Sequence, residues 1–221
     1  MSFHWIRPPI CPVCSDPIPE ATDLLGPVGK RCPACVLRPP PFDRARAAVV
    51  YDDLARIFIL RGKMGGRPEL LRALGDRLGA VLAAENFADS CSAVIPVASH
   101  PWARIRRGFN PAREVAGGVA RILGLPLRPL WLRRRWRRAA AAKRLSAHDR
   151  RAAVRDAFVA TSNVRGQRVV LVDDVRTTGA TLSACARALR AAGAIEVRAA
   201  VWAATPVTGK RSTVRGRWSH L

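Results

Sequence analysis

The apolar positions of the 221-residue chain change their period from one end to the other. Up to residue 42 they follow no period, and cysteine and proline dominate. YDDLARIFILRGK then sets Leu54, Ile57 and Phe58, with Arg61, at helical spacing. GGRPELLRALGDRLGAVLAAE has Pro68 near a helix start and Leu70, Leu71, Leu74, Leu78 and Leu82 along one face. CSAVIPVAS, residues 91–99, is a short β-branched run that predicts a strand. PAREVAGGVARILG, residues 111–124, predicts a helix stopped by Gly124. RVVLVDDV predicts the strongest strand, ATLSACARALRAAGA a helix stopped by Gly193, and EVRAAVWAA, residues 196–204, a further strand.

Strand, loop, helix and strand in that order imply a right-handed βαβ unit with parallel strands, hence an α/β fold. RPPPFDRA reads as a stiff linker, because proline fixes φ and lacks an amide donor. The expected organisation is a small module over residues 1–42 and a main domain over 43–221, with a loosely ordered tail over about 205–221. Residues 132–158 show no core face before Leu145.

Charge adds a partner class. Lys and Arg total 38 against 16 Asp and Glu, a net +22, which favours polyanions unless it reflects only an arginine-rich coding bias. From Arg133 to Arg144 basic residues alternate with Trp136, and Trp131 stands just before them. That pattern suits either single-stranded nucleic acid or a solvated loop that closes on pyrophosphate. No run of about 18 apolar residues exists to span a membrane. MSFHWIRPPICPVC lacks the apolar core of a secretory signal, so the expected compartment is the cytoplasm.

Cys11, Cys14, Cys32 and Cys35 form C-x2-C-x17-C-x2-C, a zinc-ribbon spacing. Each pair offers two thiolates from one tight turn, and two turns complete a tetrahedral shell with no open position, so the expected zinc is structural. A segment this short has little core, and metal would supply about 10 kcal/mol of folding energy. Cys91 and Cys185 stand alone on apolar faces and read as core thiols.

In VVLVDDVRTTGATL the apolar run leads into Asp173 and Asp174, then Thr177, Thr178, Gly179, Ala180 and Thr181. Open α/β sheets bind ligands at the carboxyl ends of their strands. Adjacent strand residues point to opposite sides, so at least one aspartate faces the crevice. The threonine loop surrounds a helix N-terminus, where free amides and the dipole favour an anion. Carboxylates for a diol and amides for an ester phosphate together suit a phosphorylated ribose.

This loop resembles the loop of type I phosphoribosyltransferases that binds 5-phosphoribosyl diphosphate (PRPP). The cysteine pairs, then ILRGKMGG around Lys63, then VIPV leading to RRGFNPAREVA, then the loop itself, resemble in order the ComF family of competence-protein phosphoribosyltransferases, over about residues 11–202. The resemblance implies a parallel sheet flanked by helices behind an N-terminal zinc ribbon. It implies that Asp173 and Asp174 hold the ribose hydroxyls, that residues 177–181 hold the 5′-phosphate, and that Arg104, Arg106 and Arg107 meet the pyrophosphate. Mg²⁺ would arrive with the pyrophosphate. Where the family carries Thr, Gln and Asn, this chain has Ala139, Ala142 and Ala153. Binding of PRPP is thus implied more firmly than transfer to an acceptor.

Two expectations follow. One is a PRPP-binding protein of the pentosyltransferase class linked to DNA uptake. The other is a non-enzymatic adaptor that handles single-stranded DNA and works with DNA-uptake or processing proteins, its PRPP pocket regulatory or vestigial.

Overall fold

The computed structural model describes residues 2–18, 31–135 and 157–206. Among these, a central sheet is built from β1 (Arg44–Val50), β2 (Ala93–Pro96), β5 (Arg168–Arg176) and β6 (Glu196–Ala204), in the order β1–β6–β5–β2. All three pairings are parallel. The helices are α1 (Pro33–Leu37), α2 (Asp53–Met64), α3 (Pro68–Ala84), α4 (Pro101–Arg107), α5 (Pro111–Leu123) and α6 (Ala180–Ala191). β5, α6 and β6 form the expected βαβ unit, and Gly124 and Gly193 adopt positive φ just past their helices. A short antiparallel pair, β3 (Leu132–Arg134) and β4 (Phe158–Ala160), lies beside α6. Leu132 is buried, so a core position precedes Leu145, contrary to the sequence reading. Ala139, Ala142 and Ala153, and the basic segment beyond Arg135, lie outside the described residues.

Each face of the sheet carries its own core. Val170, Val172 and Trp202 pack with α2, α3 and α5. Val169, Leu171, Val197 and Ala199 pack with Leu182, Cys185 and Leu189 of α6 and with Ile6 and Phe42. A run of β-branched residues covered on both sides is what a central parallel strand requires. α3 and α5 cross at backbone contact: a Cβ on Gly75 would stand 2.1 Å from the Val115 carbonyl oxygen, and one on Gly118 2.4 Å from that of Arg72.

The face of α2 differs from expectation. Ala55, Ile59 and Gly62 are its buried residues, while Ile57 is exposed and Leu54 and Phe58 are half-buried. Periodicity weighted by side-chain size picks the wrong stripe, because this helix packs through its small residues. A Cβ on Gly62 would lie 2.7 Å from Leu71 Cγ of α3.

The N-terminal segment lies along the free edge of β1. Trp5 bridges antiparallel to Val49, Ile6 donates to the Ala48 carbonyl, and Ala45 donates to the Val13 carbonyl. The Ala47 amide donates to Ser15 Oγ at 3.1 Å. An otherwise unpaired strand edge is covered in this way.

Candidate functional site

β5 carries the two aspartates to the carboxyl end of the sheet and sends them to opposite sides. Asp174 is buried on the α2 side and forms an ion pair with Lys63 Nζ. Asp173 faces the start of α6, where it lines a small cleft with Val175, Arg176, Thr177, Thr178, Gly179, Ala180, Thr181 and Leu182. The cleft is tight, about 30 Å³. The sequence-derived group thus converges here apart from Asp174, which belongs to the neighbouring side of the strand. The Asp173 carboxylate accepts from the Asp174 amide at 2.9 Å. Burial, and then the adjacent Asp174 charge, push the Asp173 carboxyl well above the ordinary carboxylate range.

The turn into α6 depends on Gly179, which holds φ 74° at the N-cap and provides no side-chain cap. Thr178 Oγ1 accepts from the Ala180 amide at a long 3.4 Å. The first-turn amides of α6 therefore open onto the cleft with little internal competition, and the helix dipole adds to their preference for an anion.

A second, larger cavity of about 650 Å³ lies at the tip of β2, which pairs with β5 through Pro96 and Val172. Arg104, Arg113, Arg133 and Arg134 stand on its wall with Ile105, Phe109 and Leu130. Of the three arginines singled out in the loop after Val97, Arg104 lines this cavity, whereas Arg106 and Arg107 are not part of its lining. Ser99 Oγ and Arg107 Nε are buried and have no hydrogen-bond partner among the described residues. Asn110 anchors the region: its Nδ2 donates to the Val97 carbonyl at 2.9 Å, and its Oδ1 accepts from the Ala112 amide to cap α5. Gly108, at φ 79°, ends α4 in the left-handed region. RGFN thereby joins the loop after β2 to the start of α5. Arg113 had no signal in the sequence beyond its charge, and it enters the site because α5 begins there.

Cys11, Cys14, Cys32 and Cys35 are brought together as expected. All four are buried, and their sulfurs lie within 4.8 Å of one another. Cys14 Sγ and Cys32 Sγ are 3.5 Å apart. Bonds near 2.3 Å in a tetrahedron space sulfurs about 3.8 Å apart, so the set fits zinc. The Cys32 amide points at Cys11 Sγ at 3.4 Å. The hydrogen bond from Cys14 holds Cys11 down to about 4 and pushes Cys14 itself up, while burial pushes Cys35 up to about 12. A divalent cation held by these four residues would take all four sulfurs as thiolates. Cys91 and Cys185 are buried in the core, away from this cluster.

Comparison with known proteins adds the following. The model of the phosphoribosyl transferase domain family matches residues 110–215. The chain is 31% identical over 212 residues to the DNA utilization protein YhgH of Salmonella typhi, covering 90% of this chain and 89% of that protein. It is 29% identical over 179 residues to competence protein F of Haemophilus influenzae, covering 78% and 77%. Among solved structures, the glutamine phosphoribosylpyrophosphate amidotransferase of B. subtilis, complexed with ADP and GMP, is 28% identical with a TM-score of 0.42. That likeness covers 59% of this chain and 26% of the amidotransferase, so the chain spans about a quarter of its length. The purine phosphoribosyltransferase of Pyrococcus horikoshii is 24% identical with a TM-score of 0.38, covering 62% and 76%.

Proposed function

The chain belongs to the ComF family of YhgH and competence protein F, with a type I phosphoribosyltransferase fold, and from that premise we propose that it binds PRPP at the carboxyl end of β5. One observation carries this reading: Asp173 and residues 177–181 line a single cleft at an uncapped helix N-terminus. Asp173 holds the ribose hydroxyls from within the cleft, Asp174 reaches them only by leaving Lys63, and the loop amides and hydroxyls hold the 5′-phosphate. Arg104 reaches the pyrophosphate from the tip of β2, with Arg106 and Arg107 behind it. Among the described residues the hard oxygen donors at hand are these carboxylates and Glu114 on the cavity at the tip of β2; Asp174 is already held by Lys63 and Glu114 by Arg72. They suit Mg²⁺ that comes with the pyrophosphate and keeps most of its water, and that ion would neutralise the leaving group. The four cysteines hold zinc and shape the N-terminal ribbon of residues 1–42, while residues 43–221 form the PRPP-binding domain.

Calorimetric titration with PRPP and Mg²⁺ tests this reading. Wild-type protein binds, and the double change Asp173→Asn, Asp174→Asn abolishes binding. Pyrophosphate release measured against candidate acceptors then separates a transferase from a binding protein.

A second reading rests on the net charge of +22 and on the arginine-walled cavity. In it the protein works in the cytoplasm on single-stranded DNA during uptake, with DNA-processing partners, and PRPP tunes that role. Among the described residues no helix is long and apolar enough to cross a membrane. The aspartate double variant separates the readings, since it loses PRPP and keeps DNA if the two sites act independently.

A further inference from the structure

Asp16 and Arg176 are 160 residues apart in sequence, yet they form a buried ion pair. Their side chains are 1% and 4% exposed. Asp16 belongs to the first cysteine turn. Its carbonyl accepts from the Cys11 amide at 2.8 Å, and the preceding Ser15 donates to the Cys11 carbonyl at 2.9 Å. Arg176 is the last residue of β5 and directly precedes Thr177. It lines the cleft of the threonine loop, and its Cδ lies beneath Gly179, 3.9 Å from where a Cβ would stand. Its carbonyl accepts from Thr205, so its backbone is fixed to the chain leaving β6. Arg176 Nε is buried without a hydrogen-bond partner among the described residues.

The cysteine turn and the phosphate loop are thus two ends of one rigid contact. A buried guanidinium that loses its carboxylate is left uncompensated and must move toward water, and the loop attached to it moves as well. The position of Asp16 is in turn set by the turn between Cys11 and Cys14, which a metal ion on those two sulfurs would close. We infer that Arg176 is a positioning residue, clamping residues 177–181 to the cysteine turn through Asp16, so that metal occupancy of the four-cysteine site sets the loop's affinity for a phosphate ester. The inference rests on the PRPP reading for its ligand, but the clamp itself is independent of it.

The test uses the full chain loaded with zinc, with metal content measured for every variant. Asp16→Asn keeps its zinc, binds PRPP roughly tenfold more weakly, and shows faster amide hydrogen exchange over residues 177–181. Arg176→Met gives the same two effects, and the double variant is no worse than either single one, because both remove one contact. Arg176→Lys retains the charge and recovers part of the affinity. Stripping zinc from the wild type speeds exchange in the same loop. Zinc-loaded Asp16→Asn with wild-type loop exchange overturns the clamp, whatever PRPP does. If Asp16→Asn does not hold zinc, Arg176→Met decides in its place, since it lies outside the metal shell. Wild-type protein that fails to bind PRPP while Asp16→Asn loosens the loop removes the ligand reading and leaves the clamp standing.

Discussion

Lys63 of α2 is ion-paired with Asp174 at the end of β5, with 22% and 9% of the two side chains exposed. The pair fixes which of two adjacent aspartates stays behind the strand and which faces the cleft. It also offsets the cost of holding two carboxylates side by side, because Lys63 lowers the energy of the ionised pair. Lys63→Met leaves Asp174 buried without its cation. The expected loss is about 1–3 kcal/mol in urea unfolding, with PRPP binding weakened in parallel.

Asp173 trades stability for binding. Its carboxyl is pushed up by burial and by Asp174, so the folded state holds this proton more tightly than the unfolded state does. The sign follows from linkage. Its contribution is most favourable below the ordinary carboxylate range and declines as pH rises through the raised folded value. Asp173→Asn removes that penalty, so near neutral pH the variant melts at a higher temperature than wild type while losing PRPP. PRPP affinity of the wild type should rise with pH over the same window, because the ionised carboxylate accepts from the diol with both oxygens and more strongly than the neutral carboxyl. A variant that melts lower than wild type at neutral pH would contradict this account.

The β5–α6–β6 unit was legible because each element carries a local signal: an unbroken apolar strand, a positive-φ glycine at the turn, and glycine after the helix. The loop residues of the cleft were legible for the same reason, since they are contiguous. Three features were not. The buried stripe of α2 consists of Ala55, Ile59 and Gly62, and close helix approach gives small residues no hydrophobic weight in a periodicity count. Arg113 and Arg134 meet across one cavity only because α5 begins where β3 ends. The Asp16–Arg176 pair joins residues so far apart that no spacing rule connects them.

α5, whose cap residue Asn110 holds the Val97 carbonyl, crosses α3 at backbone contact. Gly118→Ala places a Cβ 2.4 Å from the Arg72 carbonyl oxygen and 2.6 Å from the Asp76 amide nitrogen, neither of which is the tip of a flexible side chain. The helices must separate, and the cost is about 1–3 kcal/mol. Gly117→Ala, one residue earlier, meets nothing within 4 Å and should be neutral or slightly stabilising through helix propensity. Thermal unfolding of the two variants side by side checks the contrast.

Metal binding at the four cysteines should release protons. Cys35 is pushed up to about 12 and Cys14 is also raised, so thiols protonated near neutral pH become thiolates on zinc. Zinc titrations in two buffers of different ionisation enthalpy will therefore give different apparent heats, and zinc affinity will fall as pH falls. Cys32→Ser should lose the metal and lower the melting temperature. Equal heats in both buffers would mean that the sulfurs are already deprotonated without metal.

The arginine-walled cavity makes the DNA reading quantitative. Arg104, Arg113, Arg133 and Arg134 surround one space, and apolar Phe109 and Leu130 share the wall. If each arginine neutralises one phosphate of a single strand, log affinity falls with log salt at a slope of about −3. Arg113→Ala and Arg133→Ala should each reduce the magnitude of that slope by about 0.7, with little dependence on base sequence. Arg104, the arginine assigned to the pyrophosphate, stands on the same wall, so saturating PRPP with Mg²⁺ should reduce the slope as a single arginine substitution does. A slope near zero, or one unmoved by either substitution, would place DNA contact elsewhere on the surface and leave this cavity to the pyrophosphate alone.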